Sequence, residues 1–188
     1  VEQYISEEGR YPEAVGIVFW AGSNMRSHGQ CIAELFYLMG VRPVWRRPSQ
    51  RVCGLEIIPL AELQRPRIDV TARISGLFRD AVPNAIRWVD QAVRMVRDLE
   101  ESDEENYVRK HILSDTAWLE EQGETRESAW ERACVRIFGD PPGVYGAGVA
   151  DLLESKAWET LDDLAAVYTR FSGTAYGGDG LARAYDPE

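Results

Sequence analysis

Several residue types and patterns on which common functional sites depend are scarce in this sequence of 188 residues. It has only three cysteines and two histidines, and the cysteines show neither a CxxC pair nor the spacing of a zinc site. We therefore expect reduced, unpaired thiols in a cytoplasmic protein, and we assign no metal ligands to this chain. No apolar run reaches the length of a membrane span, so we expect no membrane-spanning helix.

Basic residues are outnumbered by acidic ones, and nucleotide-binding motifs are missing. The chain has 21 Lys and Arg against 31 Asp and Glu, a net charge of −10. This balance argues against a nucleic-acid surface, which needs clustered Lys and Arg. The glycine-rich residues 139–148 have no GKS or GKT and lack the G-x-G-x-x-G spacing of a nucleotide site. We interpret them as a tight turn between helices, or as a close backbone approach to a neighbouring domain.

What the sequence does contain is a central stretch, residues 65–84, that predicts a strand, a turn and the start of a helix. Apolar and polar residues alternate between Ile68 and Ser75, which is the period of a strand with one apolar face. Gly76 interrupts the pattern, and Asp80 is expected to cap the helix that follows. Apolar residues then recur every three or four positions to Leu99, which predicts one buried helical face.

The residues before this stretch predict further strands and a helix. The continuous apolar run at residues 14–21 predicts a buried strand. A helix is expected next, ending at Gly40, because glycine is the preferred residue just after a helix C-terminus. Short strands are expected at residues 41–45 and 52–60.

The pattern becomes helical after an acidic run near Glu100. Four helices are predicted there, at residues 107–122, 128–138, 144–155 and 161–172. The expected fold class is α/β, with an open, largely parallel sheet and packed helices, followed by an all-helical C-terminal part. We expect an α/β sheet part at residues 1–100, a helical part packed on it at 101–175 and a flexible tail at 176–188.

Polar residues follow both the first strand and the central strand. If those strands are parallel, the loop after the first meets the turn after the second at the carboxyl edge, where open α/β sheets bind ligands. Such a cleft would combine Arg forks for carboxylates, one histidine and one carboxylate. The residues concerned are Ser23, Asn24, Arg26 and His28 on one side, and Arg73, Ser75, Arg79 and Asp80 on the other. The alternative is a local Arg79–Asp80 ion pair with a helix cap, and an exposed His28.

The second histidine, His111, lies beside Arg109 and Lys110 on a predicted helix. With only two histidines in the chain, a metal site is conceivable, but a first-row metal would need a third ligand nearby. We interpret the Arg-Lys-His run as the solvated face of a helix.

Four motifs resemble the large subunit of the metal chelatases of tetrapyrrole synthesis, a family that includes the large subunits of cobaltochelatase and magnesium chelatase. They are GVRPVW at residues 40–45, the run at 55–84, ENYVRKH at 105–111 and RIFGDPPGVYGAGV at 136–149. The resemblance extends over residues 14–176, and its motifs are closer to the cobaltochelatase branch. Where family members often have Gly-Glu-Asp, this chain has Gly29-Gln30-Cys31, which puts any role of those acids in doubt.

The resemblance implies a segment of the tetrapyrrole-binding subunit of an ATP-dependent chelatase that inserts cobalt or magnesium into a corrin or porphyrin precursor. ATP would be bound by separate AAA+ partner subunits, and the divalent metal would be a substrate. The segment would also contact the remaining domains of the large subunit, and alone it should be inactive.

Within that family the cleft residues acquire expected roles. His28 and Asp80 are the candidate catalytic groups, because metal insertion removes two pyrrole protons. Asn24, Arg26, Arg73, Ser75 and Arg79 are the candidate substrate-binding residues. Two alternatives stay open: a scaffold segment that contacts partner subunits or domains without touching substrate, and an independent α/β module that binds a small anion.

Overall fold

The computed structural model describes residues 1–146, 148–177 and 182–184, the last of these through their backbone. Within those residues the chain forms seven strands, and no helix there is both long and apolar enough to cross a membrane. The strands are β1 (Ala14–Phe19), β2 (Val41–Arg46), β3 (Arg51–Ile57), β4 (Asp69–Ile74), β5 (Ile137–Gly139), β6 (Thr174–Tyr176) and β7 (Ala182–Ala184).

Ten helices accompany the strands in the described part of the chain. They are α1 (Glu2–Glu8), α2 (Ala21–Arg26), α3 (Gln30–Met39), α4 (Leu60–Leu63), α5 (Gly76–Ala81), α6 (Pro83–Arg97), α7 (Tyr107–Glu121), α8 (Arg126–Ala133), α9 (Val149–Ser155) and α10 (Leu161–Phe171).

The main sheet has the strand order β1-β4-β5-β6-β7. β4 lies between β1 and β5 and runs parallel to both, whereas β6 and β7 are antiparallel to their neighbours. β2 and β3 form a separate antiparallel pair. The predicted α/β class with a largely parallel sheet is therefore confirmed.

The core lies between this sheet and the helices α3 and α6. Val70, Ala72 and Ile74 of β4 are fully or almost fully buried, as the alternation predicted. The apolar stripe of α6 is buried against them, and α3 contributes Leu35 and Met39. The opposite side of the sheet is open in part, because Val18 is 42% exposed there and Thr71 is also exposed.

The second half of the chain is mostly helical, but it also supplies strands, which the expected all-helical C-terminal part did not include. The helix predicted at residues 128–138 ends at Ala133, and Ile137–Gly139 forms β5 beside β4. Short apolar runs are ambiguous between helix and strand, and here pairing with β4 decides. The predicted tail begins at Tyr176, which is buried in β6; residues 178–181 and 185–188 of that tail lie outside the described residues.

The helices of the second half differ in how they pack. Val108, Ile112 and Ala129 of α7 and α8 are completely buried in the core. The shorter helices α9 and α10 have no buried side chain, and Leu161 is 76% exposed.

Candidate functional site

The loops that follow β1, β4 and β5 meet at one edge of the sheet. The three strands are parallel neighbours and end at Phe19, Ile74 and Gly139, respectively. The Ser75 amide donates to the Phe19 carbonyl at 3.1 Å, which ties the first two loops together. The sequence analysis expected this carboxyl edge to hold the candidate site, and the strand arrangement agrees with it.

The helix after β4 begins earlier than predicted. Ser75 is its N-cap, because its hydroxyl accepts a hydrogen bond from the Phe78 amide at 3.2 Å. Asp80, the predicted cap, lies inside α5. A further helix, α6, starts only after Val82, with Pro83 in its first turn.

Asp140 is the centre of the cluster at this edge, and sequence reasoning missed it. Its side chain is completely buried, and one carboxylate oxygen, Oδ1, accepts from Arg73 Nη2 at 2.7 Å. The other, Oδ2, accepts from the Gly76 amide at 3.1 Å, and the Asp140 carbonyl accepts from the Tyr176 hydroxyl. Asp140 thus joins the ends of β4, β5 and β6.

Arg79 is almost entirely occupied by contacts within the protein. Its Nε and Nη2 atoms both donate to the Asp80 carboxylate, at 2.7 and 2.8 Å. Its Nη1 atom donates to backbone carbonyls of the loop after β5, those of Asp140, Pro141 and Val144. This arrangement favours the local ion pair that the sequence analysis kept as an alternative, and substrate binding by Arg79 stays a prediction.

Asp80 is the exposed partner of that pair. Its side chain is 44% exposed, and it also accepts a hydrogen bond from the Tyr145 hydroxyl at 2.6 Å. Hydrogen bonds from Arg79 and Tyr145 lower the pKa of Asp80 to about 2. The same contact with Asp80 raises the pKa of Tyr145, so the pair is held as carboxylate and phenol.

Arg73 lies between aromatic side chains on the open side of the sheet. Its guanidinium carbon is 5.8 Å from the Trp20 ring centroid and 5.4 Å from that of Tyr168. Its Nε atom donates to the Ser172 hydroxyl at 3.2 Å. A positive charge framed by two aromatic faces is the feature of this edge best suited to a flat anionic ligand.

The first loop does not join this cluster as a whole. Asn24 is buried in α2, where its amide nitrogen donates to the Trp20 carbonyl at 3.1 Å, and its Oδ1 atom has no hydrogen-bond partner among the described residues. Arg26 and His28 are exposed, and within the described part of the chain neither side chain makes a hydrogen bond or ion pair. The structure brings Arg73, Ser75, Arg79 and Asp80 together but leaves Arg26 and His28 at the rim.

Two glycines allow the loops to approach this closely. A Cβ atom at Gly139 would lie 2.6 Å from the Ile74 carbonyl oxygen. One at Gly76 would collide with the Val144 carbonyl oxygen. Close backbone approach, one of the two roles expected for residues 139–148, is thus observed, but between strand ends of this chain.

A second group of charged residues lies at the amino end of β4. The Asp69 carboxylate is 6% exposed and accepts from Arg136 Nε at 2.8 Å and from His111 Nδ1 at 2.9 Å. His111 Nε2 is also 3.4 Å from Glu13, which pairs with Lys110. The sequence analysis interpreted His111 as part of a solvated helix face, but it is only 27% exposed. Pairing across 42 residues with Asp69 could not be seen from local spacing.

The contacts of this group shift the pKa values of its members. The hydrogen bond to Asp69 raises the pKa of His111. Burial alone would raise the pKa of Asp69, but the hydrogen bond from His111 and the Arg136 charge outweigh it and lower that pKa. Among the described residues, no group of three or more His, Cys, Asp or Glu side chains could hold a metal ion.

The chain is similar to proteins of cobalt and magnesium chelatases. A family model described as CobN/Magnesium Chelatase matches residues 1–186. The aerobic cobaltochelatase protein CobN of Pseudomonas aeruginosa is 45% identical over 94% of this chain and 14% of its own length. The magnesium-chelatase large subunit of Cereibacter sphaeroides is 36% identical over 95% of this chain and 14% of its own length.

A solved structure agrees with these relatives. The catalytic subunit of cobaltochelatase from Mycobacterium tuberculosis superimposes with a TM-score of 0.89 at 49% identity. The superposition covers 97% of this chain and 15% of that subunit, so the chain spans about one seventh of its relatives' length. The chain belongs to the CobN/magnesium chelatase family.

Proposed function

We propose that this chain forms part of the large, tetrapyrrole-binding subunit of an ATP-dependent chelatase that inserts cobalt into a corrin precursor. The observation that carries the proposal is the family match over residues 1–186. Identity to the cobaltochelatase relatives is 43–49%, against 36% for the magnesium-chelatase relative of Cereibacter sphaeroides, and this favours cobalt. Insertion of magnesium into a porphyrin is the second candidate.

Metal insertion exchanges two pyrrole protons for one divalent metal ion, so the reaction needs an energy source and proton acceptors. We assign ATP binding and hydrolysis to separate AAA+ partner subunits, in keeping with the lack of GKS or GKT in this sequence. The metal ion is a substrate in this scheme, and the tetrapyrrole and the partner subunits are its other participants.

At the carboxyl edge, the proposed contacts to substrate are divided among three residues. Arg73, between Trp20 and Tyr168, would hold an acidic side chain of the flat ring. Asp80 has a pKa of about 2, which makes it a poor proton acceptor at neutral pH, so we propose that it orients Tyr145 and Arg79. His28, exposed at the rim, is the proposed proton acceptor.

The test is reconstitution of the full-length protein with its partner subunits and ATP. Insertion is followed by the absorbance change of the tetrapyrrole, with cobalt and a corrin precursor in one series and magnesium and a porphyrin in the other. We expect insertion of cobalt and its loss when ATP is omitted. Failure of the full-length protein to bind either tetrapyrrole, with partner subunits present, would contradict the proposal.

The role of His28 is tested in the same assay with His28→Gln. We expect a slower rate of insertion at unchanged tetrapyrrole affinity, because a proton acceptor acts on the chemical step. Gln30→Ala, also exposed and two residues away, is the matched control. An unchanged rate for His28→Gln would remove His28 from the mechanism and leave the remaining assignment intact.

A further inference from the structure

A cavity of about 390 Å³ lies away from the carboxyl edge, between the open side of the sheet and the helices α7 and α8. Its size falls within the range of small-molecule sites. Thr71 and Phe138 form its floor on the sheet. Its other lining residues include His111, Ser114, Asp115, Trp118, Leu119 and Arg136.

The guanidinium of Arg136 is held rigidly at the bottom of this cavity. Its Nε atom donates to both oxygens of Asp69, at 2.8 and 3.0 Å. Its Nη1 atom donates to the carbonyls of Ala133 and Val135, at 2.7 and 2.9 Å. Asp69 is in turn held by His111 at 2.9 Å. These hydrogen bonds fix the guanidinium and its carboxylate partner before any ligand arrives, which lowers the entropic cost of binding.

The third nitrogen of Arg136, Nη2, is left for a ligand. It donates no hydrogen bond to the described residues, and its nearest charged neighbour is the Asp115 carboxylate at 3.7 Å, beyond hydrogen-bond distance. A guanidinium nitrogen is a strong donor to carboxylates. The hydroxyls of Ser114 and Thr71, both exposed, line the same cavity and can add hydrogen bonds.

The remaining walls are apolar and aromatic. Leu119 and Phe138 line the inner part, and Trp118, 55% exposed, stands at the rim. An exposed tryptophan beside a charged group suits a ligand that has both a flat apolar body and an acidic group. A metal ion is not a fitting occupant, because the described residues offer no metal-ligating group of three.

We propose that this cavity binds a carboxylate attached to a flat apolar body. The carboxylate pairs with Arg136 Nη2, and the body packs on Trp118. Where the proposed chelatase function holds, the ligand is an acidic side chain of the tetrapyrrole, with the ring edge at Trp118. A separate small aromatic acid has the same chemistry and is the other source.

The proposal makes an unusual demand of Asp115. Because this carboxylate faces the same Nη2 atom, it repels an incoming carboxylate. Removing its charge with Asp115→Asn should therefore tighten binding of a carboxylate by about three- to tenfold. Glu121→Gln removes the same charge from an exposed position of the same helix, outside the cavity, and is the matched control.

The experiment is calorimetric titration of the chain with naphthoate, and with naphthamide as its uncharged counterpart. We expect naphthoate to bind and naphthamide to bind at least about tenfold more weakly, because the amide lacks the charge that Arg136 recognises. Trp118→Ala should weaken naphthoate binding by about tenfold through the lost apolar contact, whereas Trp158→Ala, outside the cavity, should not. Equal binding of acid and amide, or equal effects of Asp115→Asn and Glu121→Gln, would overturn the proposal.

A second titration, with deuteroporphyrin, identifies the source of the carboxylate. If its affinity responds to Asp115→Asn and Trp118→Ala as that of naphthoate does, the ligand is a tetrapyrrole side chain. If deuteroporphyrin binds without responding to either variant, the tetrapyrrole assignment of this cavity is overturned. Neither result bears on the chelatase function, which the insertion assay tests separately.

Discussion

Buried arginines brace this protein from the inside. Arg67 is 1% exposed and joins Glu101, at 2.7 Å, to backbone carbonyls of Gly40 and Ile58. Arg79 and Arg136 do the same at the two ends of β4. A guanidinium has five donors in one plane, so it can satisfy several loop carbonyls that water no longer reaches.

Arg79→Ala is expected to destabilise the chain, because carbonyls of the loop after β5 lose their donor. The free energy of unfolding should fall by roughly 1–3 kcal/mol, the range for buried groups left unsatisfied. Chemical denaturation measures it, with Arg87→Ala, exposed on α6, as a control that should stay within about 0.5 kcal/mol of wild type.

Tetrapyrrole titration of the full-length protein with the same Arg79→Ala change separates the two roles. A positioning role predicts little change in affinity beyond what the stability loss explains. A loss of affinity well above that would contradict it and restore Arg79 as a substrate contact.

His111 should make the stability depend on pH above neutrality. Its pKa in the folded chain is raised from 6.5 by Asp69, so its contribution is complete below pH 6.5 and is lost as pH rises through the raised value. Each unit of difference corresponds to about 1.4 kcal/mol. Glu13, Arg136 and Asp115 also face this histidine and titrate outside that window.

Denaturation at about pH 6 and pH 8.5 checks this prediction, since model histidines titrate near 6.5. Wild type should be less stable at the higher pH, and His111→Gln should lose most of that difference. His28→Gln, the matched change at an exposed position, should keep it. An equal pH dependence in all three proteins would show that the Asp69 contact adds nothing.

At the scale of elements, the strand ends depend on glycines that allow backbones to touch. Gly139→Ala would place a methyl group 2.6 Å from the Ile74 carbonyl oxygen, between β4 and β5. We expect a loss of about 1–3 kcal/mol in the free energy of unfolding, the usual cost of overpacking. Gly22→Ala, where α2 leaves open space, should be neutral or stabilising by up to about 1 kcal/mol. Equal stabilities of the two variants would refute the close contact.

At the scale of the whole molecule, both halves of the chain build one sheet and one core. Ile137 and Tyr176 from the second half are buried in the same cluster as Val70 and Ile86 from the first. We therefore expect a single cooperative thermal transition, followed by circular dichroism and calorimetry. Two well-separated transitions would mean that the halves fold independently.

The chain by itself should not insert metal into a tetrapyrrole, even with ATP. It spans about one seventh of the relatives it matches, and its sequence has no P-loop. The measurement is the absorbance of a metal-free tetrapyrrole incubated with the chain, cobalt and ATP, beside the reconstituted full-length protein. Insertion by the chain alone would contradict this expectation.

The sequence by itself determined the local elements whose patterns are long. The alternation from Ile68 to Ile74 and the stripe of α6 each define one apolar face that folding removes from water, so the period alone predicts strand and helix. The family could also be recognised from the four ordered motifs, and the match over residues 1–186 confirms it. The convergence of two loops at the carboxyl edge followed from the parallel pairing of β1 with β4.

Only the tertiary structure decided which residues meet. Asp140 joins Arg73 across 67 positions, and His111 joins Asp69 across 42, and no local period encodes such contacts. The strands β5 and β6 have three residues each, too few to show a period, and they form because β4 offers unpaired backbone groups. Burial of a guanidinium depends on carbonyls supplied by distant loops, and therefore the roles of Arg79 and Arg136 appear only in the folded chain.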